Sequence, residues 1–393
     1  MMGFLRRIRR VVAPPRPPPP AVVHLPAAPG PVRGTVVLSY LTDCFSDAAA
    51  SHYHANRWEC RAMARAFNDA GYNVTAIDWQ DRDFRPGADC VAIVDLHANL
   101  DRLAALAPTG ARKIHHATGA HWEFQNRAEQ ARNEALHVRR GIRLPLRRQV
   151  TPSRAIETAE CATTTGNAFT IGTFAFAKKP MTRVPVSSTY TRASLDGKNF
   201  ESVRRRFLWL GSHGLVHKGL DLVLEAFART PELQLTVAGP VGSEPDFAAA
   251  YRRELSLPNV TVLDWVDTRS QLFHDLLNAH GAIVYPSCSE GGGGSAVTCL
   301  HGGLVPIVTR EASVDVEDFG IELPTAEVDI LIDAVRGFAG LPSAERAERS
   351  QAAWRFARRV HTRQNFEQTY RQFVSGLFQV ELAGAHPISP SPA

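Results

Sequence analysis

The sequence of 393 residues contains no apolar run approaching the roughly 20 residues of a membrane-spanning helix. Its N-terminus also lacks the apolar centre of a cleavable signal peptide. The six cysteines stand singly along the chain, without the close pairs that zinc ribbons and redox motifs contain. These absences predict a cytoplasmic protein whose thiols are buried and reduced.

The body of the chain lacks the charge excess of a nucleic-acid-binding protein. The formal charge is +5, but residues 1–33 contain six arginines and no acidic residue. The rest of the chain therefore has 38 basic and 39 acidic residues. A neutral body does not supply a basic face that follows phosphates, so no nucleic acid partner is expected.

Residues 1–33 are predicted to be a basic, proline-rich, disordered leader. Residues 13–31 include nine prolines, which favour a stiff extended spacer. Within residues 1–12, Phe4, Ile8 and Val11 stand among four arginines, as in a short amphipathic helix. This segment is compatible with peripheral attachment to the inner face of an anionic membrane, and equally with a plain disordered leader. Residues 381–393 are predicted to be a disordered tail.

From residue 35 onward, short β-rich runs alternate with longer helical stretches. Strands are predicted at 35–40, 73–79, 90–96, 112–118, 207–210, 233–238, 260–265, 282–285 and 306–309. Helices are predicted at 55–70, 220–228, 246–255, 269–279, 295–301 and 344–377, the last with a kink at 360–362. Strands that alternate with helices form parallel sheets covered on both faces.

This alternation predicts an α/β protein with two Rossmann-like, doubly wound domains that face each other across a cleft. A polar stretch at 187–198 separates them, which gives an N-terminal domain at 34–190 and a C-terminal domain at 200–360. A helix at 361–380 is expected to return to the N-terminal domain. The cleft is the expected place for a ligand.

The strongest local signal is the segment 285–295, YPSCSEGGGGS, between an apolar strand and a helical run. The four glycines, Gly291–Gly294, remove every side chain where the backbone turns into a helix. Backbone amides can then approach an anion, and the helix dipole favours negative charge at that end. A pyrophosphate fits such a loop, although flexible linkers have a similar composition.

A second signal is the segment 208–221, LWLGSHGLVHKGLD. A predicted strand ends there in a loop with Gly211 and Gly214, and Lys218 with Gly219 opens the next helix. A lysine in this position can meet a phosphate as a point charge. A solvated surface lysine is the alternative interpretation.

Together the two loops resemble the retaining glycosyltransferases of the two-domain GT-B class, in particular family 4, also called glycosyltransferase group 1. The sequence similarity extends from about residue 207 to residue 319. It contains, in the family's order and spacing, Lys218 with Gly219, Val237 to Gly239, Trp265, Pro286 and Ser287 before Glu290, and Gly303 to Pro306.

The resemblance implies roles for individual residues. Glu290 would be a catalytic residue that contacts hydroxyls of the donor sugar, and Lys218 would neutralise the donor phosphates. The nucleotide base would lie near Trp265 and Val266. The other donor-binding residues that the resemblance implies are Gly211, Ser212, Gly239, Gly291, Gly292, Gly293, Gly294, Ser295 and Thr298.

Two positions depart from the family pattern. Thr298 stands where the family usually has a second glutamate that accepts hydrogen bonds from the ribose, and a hydroxyl offers less than a carboxylate. Ser212 replaces a frequent arginine, which leaves one phosphate cation fewer; His213 or His217 is a candidate substitute.

In the N-terminal domain, the segment 113–123 carries three histidines after a predicted strand. His116 and His121 are the catalytic candidates, because the family often places a histidine there near the donor sugar. No metal site is expected, since only Glu123 stands at ligand spacing beside the histidines.

Two further polar groups are candidates for acceptor binding. The first surrounds the start of the first long helix: His52, His54, Asn56, Trp58 and Glu59. The second is a basic run that would suit a phosphorylated or lipid-linked acceptor: Arg139, Arg140, Arg143, Arg147 and Arg148. The alternatives are ordinary polar residues at a helix start and arginines that are solvated or paired with nearby acids.

These observations predict a glycosyltransferase that moves a sugar from a nucleotide-sugar donor to a glycan or lipid-linked acceptor, with retention and without a metal or other cofactor. Bacterial surface polysaccharide synthesis is the expected setting. An inactive nucleotide-sugar-binding scaffold of the same fold is the alternative. A dinucleotide oxidoreductase is disfavoured, because neither half contains the glycine fingerprint of that class.

Overall fold

The structure is a computed structural model that describes residues 22–46 and 54–379. The predicted amphipathic segment 1–12, the predicted tail 381–393 and His52 lie outside the described residues. Among the helices that the structure describes, none combines the length and apolar character needed to cross a bilayer.

The strands of the described residues form two sheets, one in each domain. The strands of the N-terminal sheet are β1 (Val22–Leu25), β2 (Thr35–Tyr40), β3 (Asn73–Asp78), β4 (Cys90–Asp95), β5 (Arg112–Ala117), β6 (Cys161–Thr164) and β7 (Met181–Arg183). Those of the C-terminal sheet are β8 (Arg206–Leu210), β9 (Gln234–Ala238), β10 (Val260–Leu263), β11 (Ala282–Tyr285), β12 (Val305–Thr309) and β13 (Ile321–Leu323).

Helices connect these strands and cover both sheets. The helices of the N-terminal domain are α1 (Asp43–Ser46), α2 (Ala55–Asp69), α3 (Leu100–Leu106), α4 (Trp122–Arg140), α5 (Ala155–Thr158) and α6 (Ala168–Thr173). The later helices are α7 (Leu220–Ala228), α8 (Pro245–Ala250), α9 (Arg252–Leu255), α10 (Gln271–Ala279), α11 (Gly294–Leu300), α12 (Val328–Gly340), α13 (Ser343–Val360) and α14 (Arg363–Phe378). The prediction of a single helix at 246–255 is wrong, because the helix is interrupted at Tyr251, between α8 and α9.

The N-terminal sheet has the strand order β1-β3-β2-β4-β5-β6-β7. All neighbours are parallel except β1, which pairs antiparallel with β3. The predicted leader is therefore too long, because Val22–Leu25 already belongs to the sheet. Leu25 packs against one core and Val22 against another, and an edge strand tolerates the prolines that flank it.

The C-terminal sheet is entirely parallel, with the order β10-β9-β8-β11-β12-β13. This is the strand order of a dinucleotide-binding Rossmann fold. Separate apolar cores lie on its two faces, one around Phe207 and Val223 and the other around Ile283 and Phe356. The predicted architecture of two doubly wound α/β domains is confirmed.

The last helical segment divides in two and crosses between the domains. α13 ends at Val360, and α14 begins at Arg363 after Thr362, whose hydroxyl caps it. α14 then packs on α2 of the N-terminal domain, where Phe366 and Tyr370 join the buried core. The chain thus ties both domains together at its C-terminal end.

α4 is a helix of 19 residues that no hydrophobic stripe in the sequence predicts. Its buried face is mostly polar and contains Gln125, Glu129, Arg132 and Asn133. These side chains bind neighbouring loops and the other domain rather than an apolar core; Arg132, for example, donates to the carbonyl of Pro286 at 3.0 Å. α4 therefore forms part of the contact between the domains.

Candidate functional site

The two signal loops follow neighbouring strands of the C-terminal sheet. β8 pairs with β9 on one side and with β11 on the other, so the direction of strand order reverses at β8. The loop 211–219 follows β8, and the loop 286–293 follows β11. In open parallel sheets, ligands bind in the crevice outside the carboxyl ends of the strands at such a switch point.

Glycines allow these loops to approach one another closely. Gly219 has φ +75°, and a Cβ atom there would lie 2.4 Å from the carbonyl oxygen of Pro286. At the strand ends, a Cβ atom on Gly239 would lie 2.6 Å from the carbonyl oxygen of Gly211, and one on Gly211 would meet the ring of Trp209. A side chain at Gly219 would therefore force the loops 211–219 and 286–293 apart, and side chains at Gly239 and Gly211 would disturb the end of β8.

The close approach brings Lys218 directly to Glu290. Lys218 Nζ donates to Glu290 Oε1 at 2.6 Å and to the hydroxyl oxygen of Tyr285 at 2.9 Å. The same Oε1 accepts hydrogen bonds from the hydroxyls of Tyr285 and Ser287, at 2.7 and 3.0 Å. Three donors thus converge on one carboxylate oxygen. Among the described residues no donor reaches Oε2, and the third N–H of Lys218 has no further acceptor.

This arrangement keeps Glu290 ionised. Burial raises the pKa of the Glu290 carboxyl, but the nearby charge of Lys218 and the side chains of His217 and Arg148 have a larger opposite effect. The pKa is therefore lowered to about 2. A charged carboxylate with one free oxygen can accept hydrogen bonds from sugar hydroxyls. The sequence motif contains Tyr285 and Ser287, but it does not indicate that their hydroxyls hold Glu290.

The glycine run touches the N-terminal domain. A Cβ atom on Gly291 would lie 2.2 Å from the carbonyl oxygen of Thr118, and one on Gly292 would lie 2.8 Å from that of Thr165. The hydroxyl of Thr165 also donates to the carbonyl of Gly291 at 2.6 Å. The first glycines therefore have a packing role that the sequence does not reveal.

The remaining glycines differ from the first two. A Cβ atom on Gly293 would meet Val314 and the carbonyl oxygen of Ala312, whereas one on Gly294 would meet nothing within 4 Å. Gly294 is exposed and Ser295 partly so. The predicted contact of the run with donor phosphates stays a prediction, and the open space for it lies at Gly294.

The side chains of Thr298 and His217 do not replace the glutamate and the arginine of the family pattern. Thr298 is buried, and its hydroxyl donates to the carbonyl of Gly294 at 2.7 Å within α11. His217 is also buried, and its Nε2 lies 2.7 Å from the carbonyl oxygen of Ser289. Burial lowers the pKa of His217 to about 4, so at neutral pH it is uncharged and does not replace a cation at Ser212. His213 is exposed, with Nδ1 3.3 Å from the hydroxyl of Ser243.

The proposed base position is open to solvent. Trp265 follows β10 at the edge of the sheet and is 63% exposed, while Val266 next to it is buried against the core. An exposed indole at this place is available for stacking. Its role in binding a base stays a prediction.

The two histidine candidates lie in different surroundings. His116 is buried inside the N-terminal domain, where Nδ1 hydrogen-bonds the Thr163 hydroxyl at 2.8 Å and the ring lies near Tyr40 and Tyr370. Burial lowers the pKa of His116 to about 4. Its place on the α2 and α14 side of β5 is a consequence of strand alternation.

His121 borders a cavity of about 310 Å³ at the carboxyl ends of the N-terminal strands. Trp79, Trp122 and Phe174 also line this cavity, together with Thr118 and Gly119, against which the glycine run packs. Burial lowers the pKa of His121 as well. His121 therefore lines a cavity, whereas His116 does not.

The other polar candidates have structural partners. His54 caps α2 by accepting from the amide of Asn56, and Glu59 accepts from both the amide and the hydroxyl of Ser187. The ring of Trp58 lies under the guanidinium of Arg363. In the described part of the chain, no three His, Cys, Asp or Glu side chains are arranged to hold a metal ion.

Comparisons with known proteins agree with this architecture. Residues 204–339 match the model of the family described as Glycosyl transferases group 1. Sucrose-phosphate synthase from Thermosynechococcus elongatus superposes with a TM-score of 0.62 at 14% identity, over 88% of this chain and 100% of that one. No curated protein sequence matches the chain.

Two further structures have the same fold. HepE from Anabaena, solved with UDP and glucose, gives a TM-score of 0.54 at 9% identity over 88% of this chain and 99% of that one. WaaG, a glycosyltransferase of lipopolysaccharide biosynthesis, gives 0.54 at 12% identity over 87% and 100%. The GT-B fold and the resemblance to group 1 glycosyltransferases are therefore confirmed.

Proposed function

We propose, from the premise that residues 204–339 form a glycosyl transferases group 1 domain within a GT-B fold, that this protein moves a sugar from a nucleotide-sugar donor to a glycan or lipid-linked acceptor. The observation that carries the proposal is the pair of Lys218 and Glu290 at the switch point of the C-terminal sheet. The ammonium group of Lys218 suits an anionic leaving group, and the carboxylate of Glu290 suits the hydroxyls of a sugar.

The donor would occupy the crevice with its diphosphate at Lys218 and Gly294. Lys218 has one N–H that is not directed at Glu290 or Tyr285 and can donate to a phosphate oxygen. As the bond to the anomeric carbon breaks, the leaving diphosphate gains negative charge. Lys218 stabilises that charge in a partly dry site, so the proposed reaction depends on a protein cation and not on a metal.

Glu290 would hold the sugar while this bond breaks. The carboxylate stays charged, and its free oxygen can accept hydrogen bonds from one or two hydroxyls. The acceptor would enter from the N-terminal cavity beside His121. Trp79 and Trp122 line this cavity and offer flat apolar faces to a sugar ring. Retention at the anomeric carbon and a place in surface polysaccharide synthesis belong to the same proposal.

Nucleotide release from a panel of UDP-, GDP- and ADP-sugars tests the proposal. The wild type is expected to release nucleoside diphosphate from at least one donor, with no loss of rate in EDTA. Glu290→Gln is expected to reduce the rate by about a hundredfold, as when a positioned polar group is lost. Glu311→Gln is the control, because only the backbone of Glu311 contacts Glu290.

The inactive scaffold predicts a different result. A scaffold would bind one of the nucleotide sugars tightly and release no nucleotide with any acceptor mixture. A rate that is the same in Glu290→Gln and in Glu311→Gln would place the chemistry elsewhere in the molecule. Either result contradicts the proposal.

A further inference from the structure

The basic run that ends α4 divides into paired and unpaired arginines. Four of its members form ion pairs with carboxylates at 3.1 Å or less, and three of these arginines have their partners in the C-terminal domain. The pairs are Arg139 with Asp221 and Glu225, Arg140 with Glu254, Arg143 with Glu134, and Arg147 with Asp246. These four arginines are therefore already paired with carboxylates of the protein itself.

Arg148 is the exception. Its guanidinium forms no hydrogen bond or ion pair with any residue that the structure describes, and the side chain is exposed. Its backbone is nevertheless fixed, because the amide donates to both carboxylate oxygens of Glu129, at 2.9 and 3.1 Å. Its carbonyl accepts from Gln125 Nε2 at 2.6 Å. The Arg148 guanidinium is thus unpaired within the described ranges, while the backbone that carries it is held by hydrogen bonds.

The stem of the Arg148 side chain packs against the loop 211–219. Its Cγ and Cδ atoms lie 2.6 and 2.9 Å from the place where a Cβ atom of Gly214 would be. Gly214 is one turn before Lys218, whose amide donates to the Gly214 carbonyl at 2.9 Å. Only a residue without a side chain at 214 leaves room for the arginine stem against the Lys218 loop.

Arg148 also lines the 310 Å³ cavity together with Thr118 and Gly119. These two residues are the ones on which Gly291 rests. The arginine therefore stands between the Lys218 loop and the glycine run. Its charge is one of those that lower the pKa of Glu290, which agrees with a position near that carboxylate.

We propose that Arg148 binds the diphosphate of the donor and supplies, from the N-terminal domain, the cation that the family pattern places at Ser212. The inference rests on the proposed function. A guanidinium presents a fork of N–H donors that matches two phosphate oxygens. Lys218 and Arg148 would then grip the same diphosphate from opposite domains, so donor binding and domain closure support one another.

Calorimetric titration of the full chain tests this assignment. Wild type, Arg148→Gln and Arg143→Gln are titrated with UDP, GDP and ADP and with the matching nucleosides. Arg148→Gln is expected to weaken the binding of the preferred nucleoside diphosphate by about tenfold or more and to leave that of the nucleoside unchanged. Arg143→Gln is the matched control, because its partner Glu134 lies on α4 itself.

A second variant asks whether the two positions serve the same phosphates. Adding Ser212→Arg to Arg148→Gln is expected to restore a large part of the lost diphosphate affinity and again to leave nucleoside affinity unchanged. A double variant that regains none of the affinity contradicts the exchange of one cation for the other. Equal weakening of nucleoside and diphosphate in Arg148→Gln would mean a structural role and overturn the proposal.

The remaining outcomes separate this inference from the proposed function. If the wild type binds a nucleoside diphosphate and Arg148→Gln binds it equally well, only the role of Arg148 is wrong. If diphosphate affinity is unchanged but the KM for the acceptor rises, Arg148 serves an acceptor phosphate instead. If the wild type binds none of the three diphosphates, the proposed function fails, and the role of Arg148 fails with it.

Discussion

Lys218 Nζ lies 2.6 Å from Glu290 Oε1, and the two side chains are only 5% and 15% exposed. Such a pair is costly to break from one side, because the remaining charge is left without a partner in a poorly solvated place. The pair joins the two loops of the switch point, so it serves the fold as well as the proposed chemistry.

A double-mutant cycle measures this pairing. Lys218→Met and Glu290→Gln are each expected to lower the free energy of unfolding by about 3 kcal/mol. The double variant should lose less than the sum, by about 1 to 3 kcal/mol, because it leaves no lone charge. Urea denaturation of the four proteins provides the numbers. Additive losses would mean that the two charges do not interact.

The buried carboxyl of Glu59 predicts a pH dependence of stability. Burial raises the pKa of Glu59 from 4.5 to about 7, although hydrogen bonds from Ser187 oppose the change. Because the folded state holds the proton more tightly, the stability gained is complete below about pH 4.5 and is lost as pH rises through about 7.

Glu59→Gln removes this titration. Between about pH 4.5 and pH 8, the wild type is expected to lose about 3 kcal/mol more free energy of unfolding than the variant. Denaturant melts across this range measure the difference. Glu123→Gln, at an exposed carboxyl on α4, should follow the wild type. Parallel profiles for the wild type and Glu59→Gln would show that Glu59 is ionised throughout.

The glycine run offers a test of domain contact. In Gly291→Ala the new methyl group would lie 2.2 Å from the Thr118 carbonyl oxygen and 2.6 Å from the Cα atom of Gly119. Both are backbone atoms that cannot turn aside, so the domains must separate. Activity is expected to fall by about a hundredfold, as when catalytic groups are displaced by an ångström.

Small-angle X-ray scattering checks the separation directly. Gly291→Ala should have a larger radius of gyration than the wild type. Gly294→Ala is the matched control for shape, because its methyl group meets nothing within 4 Å. A Gly291→Ala protein as compact as the control would show that this contact does not hold the domains together.

Trp265 provides a test of the base site. The indole is 63% exposed at the edge of the sheet. Trp265→Ala is expected to weaken binding of the preferred nucleoside by about tenfold, in line with the value of one stacked base. Titration calorimetry measures the loss, and Leu272→Ala, at another exposed apolar side chain, is the control. Nucleoside affinity that is insensitive to Trp265 would locate the base elsewhere.

Much of the architecture follows from local patterns in the sequence. The predicted strand at 35–40 is β2, a short apolar run typical of a buried parallel strand, and the predicted helix at 220–228 is α7, a longer apolar stretch. β7 and β13 have only three residues each, too few to show a period, and the sequence does not predict β1 or β6 either. β1 also lies among prolines, whose composition suggests a spacer.

The site divides in a similar way. The loops of Lys218 and Glu290 are visible in the sequence because glycines mark the turns after two strands. The sequence does not predict the role of α4, because the side chains that this helix buries are polar and bind a domain that is distant in sequence. Arg148 cannot be distinguished from its neighbours by composition, since only the folded chain shows which arginines meet a carboxylate.

The most direct measurement is a crystal structure of the protein with its preferred nucleoside diphosphate. We expect a phosphate oxygen within hydrogen-bond distance of Lys218 Nζ and density for the second phosphate next to Gly294. A diphosphate bound away from the crevice after β8 and β11, with Lys218 and Glu290 still paired and untouched, would contradict it.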